Sequence, residues 1–179
     1  MTSPTASPTL ASLEAFAYLD DTGRIPTHVE GKVGIYAIFD QDHKLSYVGY
    51  SRDVYLSLKQ HLVRQPQACH WIKVKTIDRP SRTLLQGIRD AWIEENGSVP
   101  SGNEAQADAW NQPIDAKLLM TDEDRAAYEQ SEELGKIKVL KKVARRVEAD
   151  ILKVLEARGV KMDLRFNPKL KENGLLDLK

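Results

Sequence analysis

The sequence predicts an α+β domain, a small central antiparallel sheet with flanking helices, followed by a long C-terminal helical extension. Three observations carry that expectation. Two β-rich runs, residues 33–39 and 45–49, flank a short polar stretch, which is the pattern of a β-hairpin. Residues 71–77 (Trp-Ile-Lys-Val-Lys-Thr-Ile) alternate apolar and basic side chains, as a half-buried strand does. Apolar residues then recur at helical spacing over 54–62, 84–92 and 140–155.

Residues 1–9 are rich in Ser, Thr and Pro, the composition of a disordered leader. Ser12 is positioned to cap a short helix reaching Tyr18, and residues 20–31, with Gly23 and Pro26, read as a loop. After the hairpin, Ser51-Arg52-Asp53 offers N-caps for a helix to about Val63, with Val54, Leu58 and Leu62 on one face. Gln65-Pro66 ends it. Ser81 opens the next helix, which buries Leu84, Leu85, Ile88, Ala91 and Trp92 and stops near Asn96. Residues 97–117 read as a polar loop.

Thr121-Asp122-Glu123-Asp124 is a capping box with acidic residues where the helix dipole favours them. One helix is expected from there to Arg158, weakened at Gly135 and closed by Gly159. Its second half carries a seam of Leu140, Val143, Val147, Ile151, Val154 and Leu155. Residues 160–166 alternate like an edge strand, and Pro168 onward reads as a tail. The expected organisation is therefore a leader with a short helix over 1–30, a domain over 31–117, and a basic helical extension over 118–179.

Composition narrows the function classes. No apolar run reaches membrane-span length, and the N-terminus has neither a basic nor an apolar signal region. The single cysteine, Cys69, can make neither an internal disulfide nor a thiolate zinc site, which fits a reducing, cytoplasmic setting. The net charge is zero but divided. Residues 1–135 hold 13 Lys/Arg against 20 Asp/Glu, a net of −7, whereas residues 136–171 hold 12 against 4, a net of +8. Such asymmetry points to a polyanion partner or to docking between the halves. Lys141, Lys142, Arg145 and Arg146 are the candidate phosphate contacts, and His61 is a further candidate on the first helix.

The paired tripeptides Gly34-Ile35-Tyr36 and Tyr47-Val48-Gly49, with the strand–strand–helix–strand–helix order after them, resemble the GIY-YIG nuclease superfamily over residues 33–103. The same stretch is similar to the N-terminal module of plant chloroplast CGFS glutaredoxins, through Ser51-Arg52-Asp53, His61-Leu62, Trp92-Ile93-Glu94-Glu95 and residues 99–103. No Cys-Gly-Phe-Ser is present, so glutaredoxin chemistry is not implied.

The nuclease resemblance implies DNA hydrolysis with one Mg²⁺ or Mn²⁺. A glutamate on the later helix would hold the ion, a hairpin tyrosine would orient or deprotonate water, and a helix arginine would stabilise the transition state. Tyr36 and Tyr47 match the motif tyrosines, and Gly34 and Gly49 its glycines. Ser57 stands at the arginine position, with Arg52 the nearest substitute. Arg89 or Gln86 stands at the metal-ligand position, leaving Glu94 and Glu95 as the nearby carboxylates. Three functions follow as expectations: a metal-dependent endonuclease, a non-catalytic nucleic-acid-binding module, or a homodimerisation module working through the C-terminal seam.

Overall fold

Hydrophobic alternation builds a mixed α+β structure around one antiparallel sheet. The computed structural model describes residues 8–179. The sheet contains β1 (Phe16–Ala17), β2 (Gly34–Phe39), β3 (Leu45–Ser51) and β4 (Trp71–Thr76) in the order β1-β4-β2-β3. The hairpin register sets Tyr36 opposite Gly49 and Ile38 opposite Tyr47, with an irregularity at Ile38/Phe39. On the other side of β2, Tyr36 pairs Val74 and Ile38 pairs Ile72. β2 is central and all six of its residues are buried, so both faces of the sheet are covered.

The two faces carry different helices. Ile35, Ala37, Phe39 and Val48 pack with Leu85, Ile88 and Trp92 of α2 (Arg82–Asn96). Because side chains alternate along a strand, Tyr36 and Ile38 point the other way, toward α1 (Val54–Arg64), which buries Val54, Leu58, His61, Leu62 and Val63. Both helices start where the sequence indicates. Asp53 caps α1 by accepting from Leu56 N, and Ser81 caps α2 by accepting from Leu84 N. Gly97, at φ 82°, closes α2 in the left-handed conformation.

The N-terminal segment departs from expectation. Residues 1–7 of the expected leader lie outside the described residues. From Pro8 the chain packs down, with the Pro8 carbonyl accepting from Trp92 Nε1 at 3.0 Å and Leu10 buried. The helix expected over residues 12–18 is a turn followed by β1, whose register sets Phe16 against Ile72. The pairing edge of β4 wins over local helix propensity, and Tyr18 is buried with its hydroxyl donating to the Leu58 carbonyl at 2.5 Å. Residues 97–117 also hold more than a loop: a 3₁₀ turn at Ser101–Asn103, α3 (Ala107–Asn111) and β5 (Ile114–Asp115).

By contact the chain divides into two compact units, Met1–Trp110 and Asn111–Lys179. In the second, the single helix expected over 121–158 is two: α4 (Asp122–Gln130) and α5 (Glu133–Ala157). The break falls at Ser131-Glu132, where both residues are extended and Ser131 Oγ donates back to the Ala127 carbonyl at 2.6 Å. Gly135 lies inside α5. A Cβ there would sit 2.8 Å from that of Ser131, so the glycine is what lets the corner close.

Leu140, Val143, Ala144, Val147 and Leu155 of α5 are buried, and the helix packs against α4, the Ala116–Leu119 turn, α6 (Pro168–Lys171) and β6 (Leu175–Leu176). A homodimer through this seam would have to displace those contacts. The strand expected over 160–166 is reduced to one bridge between Phe166 and Leu178. The expected tail folds instead, because Asn167 caps α6, Gly174 turns the chain at φ 71°, and Leu176 is buried opposite Ile114. No helix among the described residues is long and apolar enough to cross a membrane.

Candidate functional site

The hairpin tyrosines meet where the backbone is bare. Tyr36 and Tyr47 leave the same face of adjacent strands, with ring centroids 6.1 Å apart. Gly49, directly opposite Tyr36, is the space they share. A Cβ there would stand 2.6 Å from Tyr47 Cε1 and 2.8 Å from the Tyr36 phenol oxygen. Gly34 sits at the start of β2 between Ser51 and Thr76 and shapes strand approach rather than the phenol pocket.

His61, two turns into α1, completes the cluster. Its Nε2 lies 2.7 Å from the Tyr36 hydroxyl, and its ring is 4.6 Å from that of Tyr47. Over this group lies Trp110 of α3, stacked on Tyr47 at 5.1 Å with planes 1° apart and 5.5 Å from His61. All four rings are buried. Arg64 fixes the roof by donating from Nη1 to the Trp110 carbonyl at 2.9 Å.

Burial sets the protonation states. It pushes the Tyr36 phenol well above its ordinary value near 10, and the neighbouring Tyr47 adds to that shift. His61 is lowered from 6.5 to about 3, mainly by burial and then by the Arg64 guanidinium, with the Trp110 backbone opposing. At neutral pH the pair is therefore an uncharged phenol hydrogen-bonded to an uncharged imidazole. Nδ1 of His61 is buried and makes no full hydrogen bond, with the Trp110 backbone the polar group that acts on the ring.

The other predicted site residues do not converge here. Arg52 is exposed at the bend before α1. Ser57 donates to Ser51 Oγ at 2.7 Å, on the same side as Tyr36. Glu94 and Glu95 lie on α2, which packs on the sheet face opposite the phenols. Glu95 is committed, its two carboxylate oxygens accepting from the Leu10 and Ala11 amides at 2.8 Å each. Arg89, also on α2, lies 5.4 Å over the Tyr50 ring.

The donor set does not fit the divalent ion that the family resemblance implies. The groups that act on the Tyr36 phenol are Tyr47, Ser57, His61 and the Arg64 cation, none of them a carboxylate. Among the described residues no group of three or more His, Cys, Asp or Glu could hold a metal. Sequence reasoning missed Arg64 and Trp110, and it met Asn103 only as the close of the stretch that carries the resemblance. Arg64 is legible in hindsight as one turn beyond His61. Asn103, whose amide both accepts from Val48 N (2.8 Å) and donates to Val48 O (2.7 Å), pairs the open edge of β3 as a strand would.

No family model matches the chain. Over 76 residues the chain is 36% identical to the N-terminal region of "Bifunctional monothiol glutaredoxin-S16, chloroplastic" from Arabidopsis thaliana. The match covers 40% of this chain and 26% of that protein, so the chain spans about a quarter of the relative's length.

The predicted basic site resolves into two kinds of residue. Arg146 is structural. Its guanidinium donates to Asp124 at 2.7 Å and to the Leu119 carbonyl at 3.0 Å, holding α5 to α4. The same contact pulls the Asp124 carboxyl far below the usual range, with the Thr121 amide helping. Lys141 is 3.6 Å from Glu172, and Lys171 pairs with Glu148. Lys142 and Arg145 are exposed and make no ion pair among the described residues, and Lys138 joins them one turn earlier. These three lie at i, i+4 and i+7 on the face opposite the buried seam.

Proposed function

We propose that this chain carries a GIY-YIG-type module that binds nucleic acid without cleaving it. One observation carries the reading: the exposed ridge of Lys138, Lys142 and Arg145 on α5, unpaired and backed by a buried seam. The ridge spans about 10 Å along a helix rising 1.5 Å per residue, a length that suits successive backbone phosphates. Burial of both phenols weighs against hydrolysis, since a water has no open approach to either.

Fluorescence anisotropy of labelled single-stranded and duplex DNA against salt concentration tests the reading. Three phosphate contacts give a slope of log affinity against log salt near −2 for a single strand and about −2.7 for a duplex. Lys142→Glu with Arg145→Glu removes most of that slope. Affinity that ignores salt, or survives the double substitution unchanged, rejects the proposal.

A second reading, Mg²⁺- or Mn²⁺-dependent DNA cleavage, is favoured by one contact. The 2.7 Å Tyr36–His61 bond is the geometry of an acid–base pair. It requires Trp110 to leave its stack on Tyr47. Nicking of supercoiled plasmid in Mn²⁺ that is lost in Tyr36→Phe would support it, and nicking that survives Tyr36→Phe would reject it.

A further inference from the structure

Beside the outer edge of β3 lies an open pocket of about 380 Å³, lined by Arg89, Asp90, Ile93, Val99 and Asn103. Its size is that of a small-ligand cleft. Nothing in the tyrosine cluster or the α5 ridge uses it.

Arg89 is held there in a presenting geometry. Its guanidinium lies 5.4 Å over the Tyr50 ring, and its Nε donates to Asp90 Oδ1 at 3.2 Å. The Asp90 contact occupies Nε, and the terminal N–H groups make no hydrogen bond among the described residues, which leaves them as a fork. That fork matches a phosphate in bidentate fashion. Tyr50 is itself anchored, its phenol oxygen accepting from Gln86 Nε2 at 3.1 Å.

The other walls differ in chemistry. Ile93 and Val99 are apolar, and Val99 is 45% exposed. Asp90 is an exposed acceptor suited to an amino or hydroxyl group. The Asn103 amide is spent on Val48 and contributes rigidity.

We propose that this pocket takes one nucleotide unit of a single strand, its phosphate on Arg89, its base against Ile93 and Val99, and a sugar or base donor on Asp90. The inference rests on the nucleic-acid-binding reading and assigns it a second contact, one that needs no metal.

Short probes separate the two. The ¹⁵N-labelled full chain is titrated with inorganic phosphate, a nucleoside monophosphate and a trinucleotide, all in EDTA, and a long single strand is measured in parallel. The expected result is that the trinucleotide and the monophosphate move amide resonances of residues 89–103, with phosphate alone weaker. Arg89→Glu weakens the trinucleotide by about tenfold or more, the loss of one charge-assisted bond, at an unchanged unfolding midpoint. Val99→Asp does the same should Arg89→Glu perturb folding. Lys142→Glu with Arg145→Glu leaves the trinucleotide affinity as it was. Wild-type trinucleotide affinity in both pocket variants, or shifts confined to α5, overturns the pocket while the long strand still binds. Failure of every probe, the long strand included, overturns the pocket and the nucleic-acid reading together.

Discussion

Trp110 lies flat on Tyr47, with centroids 5.1 Å apart and planes within 1°. That stack turns a pair of hairpin phenols, which could have faced a substrate, into the floor of a small buried core. Its consequences are measurable in stability, in titration and in the tolerance of single glycines.

Removing the roof should be costly. Trp110→Ala deletes a fully buried indole and its stack on Tyr47, and substitutions of this kind cost ~3–5 kcal/mol. Denaturant unfolding should show a lower midpoint of that size. In the same variant, NMR titration should move the His61 pKa up from about 3 toward its ordinary 6.5, because burial is the main cause of the depression.

His61 gives the stability a defined pH dependence. Its folded pKa, about 3, lies below the unfolded 6.5, so between those values the unfolded chain binds the extra proton. Stability contributed by the neutral ring is present above pH 6.5 and falls as the pH drops toward 3. The slope from this group is up to about 1.4 kcal/mol per pH unit. Unfolding free energies between pH 4 and 7 should show the slope in the wild type and a flatter one in His61→Gln.

Two glycines should respond in opposite directions. Gly49→Ala would place a methyl 2.6 Å from Tyr47 Cε1 and 2.8 Å from the Tyr36 oxygen, an overpacking cost of ~1–3 kcal/mol. Gly87→Ala meets nothing within 4 Å and lies inside α2, where alanine is worth roughly 0.5–1 kcal/mol over glycine. Thermal unfolding of the two variants should bracket the wild type.

In the second unit, Asp124 closes the α4 capping box and receives the Arg146 guanidinium. Asp124→Ala removes a cap and a charge-assisted bond together, for a loss of ~1–3 kcal/mol. Hydrogen exchange of the first α4 turn should accelerate with it, while the amides of β2 and β3 keep their protection.

Much of this was readable in the sequence because the signals are local. The hairpin, the Asp53 and Ser81 caps and the Thr121–Asp124 box each depend on a few consecutive residues, and each sits where the sequence indicates. What escaped depends on distant partners. Phe16–Ala17 is a strand only because β4 offers it an edge. Trp110, in a polar stretch without periodicity, becomes a roof only once α1 supplies Arg64 and His61. Arg146 reads like any residue of a basic helix until α4 folds back and engages it through Asp124. The break at Ser131 rather than Gly135 has the same origin, since the glycine serves the corner without forming it.

The central proposal is that nucleic acid is held and left intact. The direct measurement is a native and denaturing gel pair on one end-labelled single strand incubated with the full chain, in EDTA and in Mn²⁺. The expected result is a retarded complex in both conditions, with full-length strand recovered from each. Shortened product in the Mn²⁺ lane that disappears in Tyr36→Phe, or no complex in either lane, would contradict it.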